Sequence, residues 1–262
     1  MVIDFHTHCF PEKIAARAME KLSATSGLVS FTDGTVGDLK KRMQTDGVSI
    51  SVVLNIATNA AQQQAVNDFA ASIKSDTIIP FGSVHPESED ALSELERISA
   101  LGLKGVKFHP EYQQFFVDDE KMKPIYKKIS QLGLICVFHA GEDYGFFPPY
   151  HATPTRLKKA LSWIDAPVVA AHWGSQNMGQ DVLTHLCGSE IFFDIAFGYG
   201  TAPKPMQQAI LEKHGTDKIL FASDCPWHAP SMELHQLSTL GLSKSEEEQI
   251  KSENACRLLG IS

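Results

Sequence analysis

Eight short runs of apolar and β-branched residues recur along the chain: Val2–His8, Ser49–Ala57, Thr77–Val84, Leu103–His109, Leu134–His139, Pro167–His172, Ile191–Ala196 and Lys218–Ser223. Their apolar character is nearly continuous rather than alternating, the pattern of strands covered on both faces. Between them lie segments with apolar residues at helical spacing: Ala60–Lys74, Ser88–Leu101, Lys121–Leu132, Thr155–Ile164, Asn177–Cys187 and Lys204–His214. A further helix is predicted in the tail, where Ser243-Lys-Ser-Glu246 forms a capping box ahead of Ile250, Ala255 and Leu258. The runs are spaced widely enough for crossover helices of a dozen or more residues, as parallel strands require. Eight strands alternating with helices predict an α/β protein built as a single (β/α)8 TIM barrel rather than a doubly wound sheet. No linker or low-complexity stretch divides the chain, so residues 1–262 are expected to be one domain. The longest insertion, Cys9 to about Gly47, follows the first strand, and a Pro- and aromatic-rich loop, Glu142–Pro154, follows the fifth. Both are expected over the C-terminal mouth of the barrel, where such folds place their sites.

Composition narrows the class. The 262 residues are 43% hydrophobic and 21% charged, ordinary globular proportions that argue against disorder. Thirty-one acidic residues outweigh 23 Lys and Arg, a formal charge of −8 that argues against nucleic-acid or anionic-membrane partners. No apolar run reaches the roughly 18 residues of a membrane span, and the first residues lack the basic and apolar regions of a signal peptide. Cys9, Cys136, Cys187, Cys225 and Cys256 show no CxxC spacing and are expected to be reduced thiols in the cytoplasm. Nucleotide-binding glycine motifs are absent.

The chemistry gathers at strand ends. His6 and His8 close the first run at positions i and i+2, which share a strand face. His139 closes the fifth, His172 the sixth, and Asp224 follows the eighth. In a closed barrel these ends converge on one cavity. Any one buried histidine is more often a core residue, and an aspartate after a strand is often a turn residue. Five such groups at equivalent points of a repeating frame point instead to a metal. Imidazole and carboxylate suit Zn²⁺, Mn²⁺ or Fe²⁺, and a catalytic ion lowers the pKa of a bound water to about 7. The expected ligands of one divalent ion are His6, His8, His139 and Asp224, with Asp224 and His172 as the proton-handling pair. Lys107 and His109 share a face at the end of the fourth run, and either could contact substrate. The cluster around Phe146, Phe147 and Tyr150 could wall a pocket or only pack its loop, and His151 and Arg156 are the substrate contacts expected there. Cys9 and Cys225 each follow a proposed ligand and should face away, and Cys136 should pack in the core.

Motifs across the whole length resemble the amidohydrolase superfamily, in the branch related to aminocarboxymuconate-semialdehyde decarboxylase. They are Asp4-Phe-His-Thr-His8, Gly105-Val-Lys-Phe-His-Pro110, Val137-Phe-His-Ala-Gly141, Ala171-His-Trp-Gly174, Ser223-Asp-Cys-Pro226 and Asn254-Ala-Cys-Arg-Leu-Leu-Gly260. The resemblance implies a (β/α)8 barrel with one divalent ion, usually zinc, held by His6, His8, His139 and Asp224. His172 then corresponds to the residue that polarises the water. Barrels of this branch often form homodimers. Binuclear relatives bridge two metals with a carboxylated lysine at the place of Lys107; the branch resembled here is mononuclear, so Lys107 is expected to face a substrate carboxylate instead. Trp173, a further expected substrate contact, stands where the decarboxylases tend to carry a glycine, which sets this chain apart from their substrate class. The expected activity is therefore metal-dependent hydrolysis of an amide, lactone or related bond in a small molecule. Non-oxidative decarboxylation of a conjugated or aromatic acid is the alternative, and a non-catalytic binding barrel is the rival from another class.

Overall fold

The computed structural model describes residues 1–261. Strand β1 (Ile3–Thr7) leads through helices α1 (Glu12–Ser26) and α2 (Val36–Asp46) to β2 (Ile50–Leu54), α3 (Gln63–Ile73) and β3 (Ile78–Phe81). Helix α4 (Ala91–Ala100), β4 (Gly105–Phe108), the single turn α5 (Pro110–Gln113), α6 (Lys123–Gln131) and β5 (Ile135–Phe138) follow. Then come α7 (Pro154–Leu161), β6 (Val168–Ala170), α8 (Gly179–His185), β7 (Phe192–Asp194), α9 (Lys204–His214) and β8 (Ile219–Leu220). The chain continues through α10 (Pro230–Ser238), α11 (Lys244–Glu248) and α12 (Asn254–Leu259), the last two joined by a π-helical segment, Gln249–Glu253. All eight apolar runs are parallel strands, each shorter than its run because the run's last residues turn out of the ladder into the loops above.

The strands pair in sequence order, β1–β2–β3 and β4–β5–β6–β7–β8. Backbone hydrogen bonds across both gaps close the ring. Gly82 N donates to Gly105 O and Lys107 N to Gly82 O, both at 2.9 Å, joining β3 to β4. Phe5 N donates to Phe221 O at 2.9 Å and Asp224 N to His6 O at 2.8 Å, joining β8 to β1. Alternation along each strand divides the core into two layers. Val137, Val169 and Leu220 pack in an inner cluster with Phe5, Val52 and Phe81. Their neighbours Cys136, Phe138, Val168, Ala170, Ile219 and Phe221 pack outward against the helices. Near-continuous apolar strands are the direct result.

The insertion after β1 is helical rather than a loop. Thr35 caps α2 by accepting from Asp38 N, and Gly47 ends it in the left-handed region at φ 74°. Helix α1 carries two apolar stripes. Ala15 and Met19 are buried, while Ile14, Ala18 and Leu22 face the cavity described below. The capping box at Ser243 and Glu246 forms as its sequence predicts.

Candidate metal centre

A bulge in β1 aims the first two histidines. Asp4 registers with Ser51 and Thr7 with Val53, so three steps along β1 oppose two along β2. The extra residue reverses the strand's alternation between Phe5 and Thr7, so Phe5 packs inward low in the barrel while His6 and His8 turn into its mouth. Asp4 is thereby turned the other way, with its carboxylate accepting from Ser223 N at 2.9 Å and Ser223 Oγ at 2.6 Å. Burial pushes its pKa up to about 7. After β6 and β8, His172, Trp173 and Asp224 adopt φ of 61°, 58° and 67°. Left-handed backbone is costly for such residues and persists only where the surroundings hold it, a signature of functional positions.

Hydrogen-bond partners assign the tautomers. His6 Nδ1 lies 2.9 Å from Asp194 Oδ2, which can only accept, so Nδ1 carries the proton and Nε2 is bare. His8 Nδ1 lies 2.7 Å from Leu54 O, which leaves its Nε2 bare too. The two bare nitrogens approach to 3.1 Å, and Asp224 Oδ1 stands 3.3 Å from one and 3.0 Å from the other. That oxygen is buried and receives no hydrogen bond. His139 Nε2 faces Glu142 O at 3.2 Å, so its bare Nδ1 is the atom 3.1 Å from His172 Nε2. Burial drives the pKa of His6 and His139 well below the usual histidine range, which keeps their lone pairs free. Asp224 is held below the usual carboxylate range, against the pull of burial.

Lone pairs and an undonated carboxylate oxygen crowding one point repel each other unless a cation sits among them. This donor set fits a divalent metal of the zinc, manganese or iron type. Asp194 supplies the outer carboxylate that such ligand histidines use to fix their tautomer. Grouped by distance, His6, His172 and Asp224 bring their ligand atoms within 4.8 Å of one another, and His109, His139 and Asp143 do the same. His139 touches the first group at His172 Nε2, 3.1 Å from its Nδ1.

Lys107 is fully buried at the floor, its Nζ 3.3 Å from His6 Nε2, and burial lowers its pKa to about 8. His109 stacks on His139 with centroids 4.2 Å apart, and its Nε2 stands 3.2 Å from Asp143 Oδ2. Both line a cavity of about 640 Å³ that opens from the donor cluster.

Three residues expected at the substrate lie elsewhere. Arg156 is drawn to Asp118 at 2.6 Å and lies over the Phe116 ring. His151 lies tilted against the Phe116 ring and faces Glu111. Trp173 is 3% exposed and packed in the outer core beneath Gly198, because its left-handed backbone turns the indole away from the mouth. Asp194 and Asp143 escaped the sequence reading. The first is the polar end of an apolar strand, at the same point of the βα frame as the histidines, and that position was its signal. The second lies in an irregular loop and had none.

The sequence profile of the amidohydrolase family matches residues 3–261. No curated protein sequence matches the chain. An uncharacterised TIM-barrel protein from Bordetella bronchiseptica superposes with a TM-score of 0.79 at 18% identity, covering 99% of this chain and 98% of that one. The 5-carboxyvanillate decarboxylase of Sphingomonas paucimobilis gives 0.72 at 15%, covering 100% and 99%. A dihydroxybenzoic acid decarboxylase from Polaromonas, solved with bound manganese and 2-nitroresorcinol, gives 0.72 at 13%, covering 99% and 96%. At such identities the likeness establishes the TIM-barrel fold.

Proposed function

Because the chain belongs to the amidohydrolase family, we propose that it is a divalent-metal-dependent enzyme that removes the carboxyl group of a small conjugated or aromatic acid without oxidation. The observation that carries this is the donor cluster of His6, His8 and Asp224 with the buried ammonium of Lys107 beside it, at the closed end of a cavity. Two features move the reading from hydrolysis, the sequence expectation, to decarboxylation. Structural neighbours are named as decarboxylases. Trp173 lies off the cavity, so its departure from glycine alters packing behind His172 rather than the substrate's surroundings.

His6, His8, His139 and Asp224 would hold the ion, with His172 at its side. When bound, the metal supplies a positive centre that draws substrate oxygens and stabilises negative charge developing on them. Lys107 adds a point charge for the carboxylate. As the bond to the carboxyl carbon breaks, its electron pair stays on the substrate carbon and CO₂ leaves. His172 delivers the proton that takes the empty place and is reprotonated from solvent. Asp194 keeps His172 in position by accepting from its backbone N–H at 2.9 Å. No helix among the described residues is long and apolar enough to cross a membrane, and all five cysteines are unpaired, which supports a reducing, cytoplasmic setting.

Hydrolysis is the second reading, favoured by Asp224 and His172 lying together where they could take a proton from water. Metal-loaded protein, with zinc or manganese, should release CO₂ from ortho-hydroxybenzoic or muconic-type acids in ¹⁸O-water without label entering the organic product. Label in the product without CO₂ would move the assignment to hydrolysis. Failure to take up about one metal per chain would sink both.

A further inference from the structure

The cavity is larger than the donor cluster needs, and its two ends differ chemically. At the floor stand the histidines, Asp224 and Lys107. From there an arm runs between α1 and α3. Ile14, Ala18 and Leu22 lie one turn apart along α1, and Ala65, Val66 and Phe69 face them from α3. Positions i, i+4 and i+8 form one stripe of a helix, as do i, i+1 and i+4. Two apolar stripes thus face each other across open space instead of packing together. The arm is continuous with the proposed metal centre.

Charge selects what can lie there. None of the five arginines, Arg17, Arg42, Arg97, Arg156 and Arg257, lines the cavity. Apart from histidine, its only cationic side chains are Lys107 at the floor and the exposed Lys21 at the rim. A second carboxylate lying between α1 and α3 would find no buried cation there, and an uncompensated carboxylate among apolar side chains is costly. An apolar group would cover both stripes at a gain.

Resting on the function proposed above, we infer that the substrate is amphipathic: a carboxyl-bearing head at the metal and Lys107, and an uncharged apolar tail lying between α1 and α3. Ile14 to Leu22 spans about 12 Å at 1.5 Å per residue, enough for a chain of roughly eight carbons. Each methylene buried there should tighten binding about fourfold, up to that length.

The test uses two homologous probe series on metal-loaded protein, n-alkanoates and n-alkan-1-ols of two to ten carbons. Binding is read by calorimetry and by the fluorescence of Trp227, which lines the cavity. Affinity should climb with length in both series, and alkanoates should bind tighter than alcohols of equal length. In the double variant Ala18→Trp/Ala65→Trp the climb should flatten. Ala18 is half-buried and Ala65 exposed, so both can take bulk from the open side, and metal content and melting temperature serve as folding controls. A flat dependence in the wild type, or an unchanged climb in the folded variant, overturns the apolar arm. Equal affinity for alkanoates and alcohols on a protein that takes up no metal overturns the proposed reaction while leaving the arm in place.

Discussion

Asp194→Asn probes the centre from outside its first ring of ligands. One carboxylate oxygen accepts from His172 N at 2.9 Å and Ala196 N at 3.2 Å; the other accepts from His6 Nδ1 at 2.9 Å. Asparagine has one acceptor oxygen, and two backbone donors claim it. Its NH₂ group must then face His6, which can accept only if Nδ1 loses its proton to Nε2. That proton would stand where the metal lone pair belongs. Losing an outer partner of a ligand histidine typically costs 10–100-fold in metal affinity, about 1.4–2.7 kcal/mol. The same loss comes off the metal-dependent part of stability, since a ligand stabilises in proportion to the logarithm of its concentration over Kd. For a chain of this size that is roughly 3–10 °C of the metal-induced rise in melting temperature. The metal-free proteins should melt within a few degrees of each other, because the backbone hydrogen bonds survive. Competition against a chelator for Zn²⁺ and Mn²⁺, with melting curves at fixed free metal, gives both quantities. A variant that binds either ion within twofold of wild type would refute the role given to Asp194 and the tautomer of His6.

Three further outcomes follow from other parts of the fold. His172→Asn should retain its metal but lose roughly 10²–10⁴-fold in turnover, the scale of a general acid, and near-normal turnover would remove it from the mechanism. Glu111 is a buried carboxyl whose pKa is pushed from 4.5 to about 7 by loss of water. The folded chain therefore keeps this proton where the unfolded chain has released it. The stability it contributes is fully present below pH 4.5 and falls away as pH rises towards 7, by on the order of 3 kcal/mol; denaturant melts of Glu111→Gln across that window should show a shallower fall. Gly105→Ala should destabilise by about 1–3 kcal/mol in the same assay, since its methyl would press on the Ile135 carbonyl oxygen and the Phe81 ring, and an unchanged midpoint would mean that β4 and β5 can separate at no cost.

The barrel was legible in the sequence because a strand buried on both faces leaves an unbroken apolar signature, and Val137 between Cys136 and Phe138 shows both faces filled. The ligand candidates were legible for a related reason: a polar side chain ending such a run has few structural uses. Asp194 ends strand β7 but lies inside its apolar run, Ile191–Ala196, so the pattern marks it less clearly. The β1 bulge left no mark in composition. Spacing places Asp4, His6 and His8 on one face, and only pairing with β2 shows that Asp4 is turned away. Helices α1 and α2 were hidden because α1 divides its apolar residues between a buried stripe and a cavity stripe, which blurs its periodicity. The contacts of His151 and Arg156 depend on partners distant in sequence, Glu111 and Asp118, which no local pattern reveals.

The hydrogen bonds that close the ring between β8 and β1 also set the order in which the centre can come into being. His6 and His8 precede Asp224 by more than 200 residues, and Asp224 N is itself bonded to His6 O. A partly made or partly unfolded barrel lacks one side of the donor cluster, so tight metal capture awaits the most non-local pairing in the chain, the kind that forms slowly. Once made, the ion would fasten the two ends of the ring together like a clasp, resisting opening at its only terminal seam.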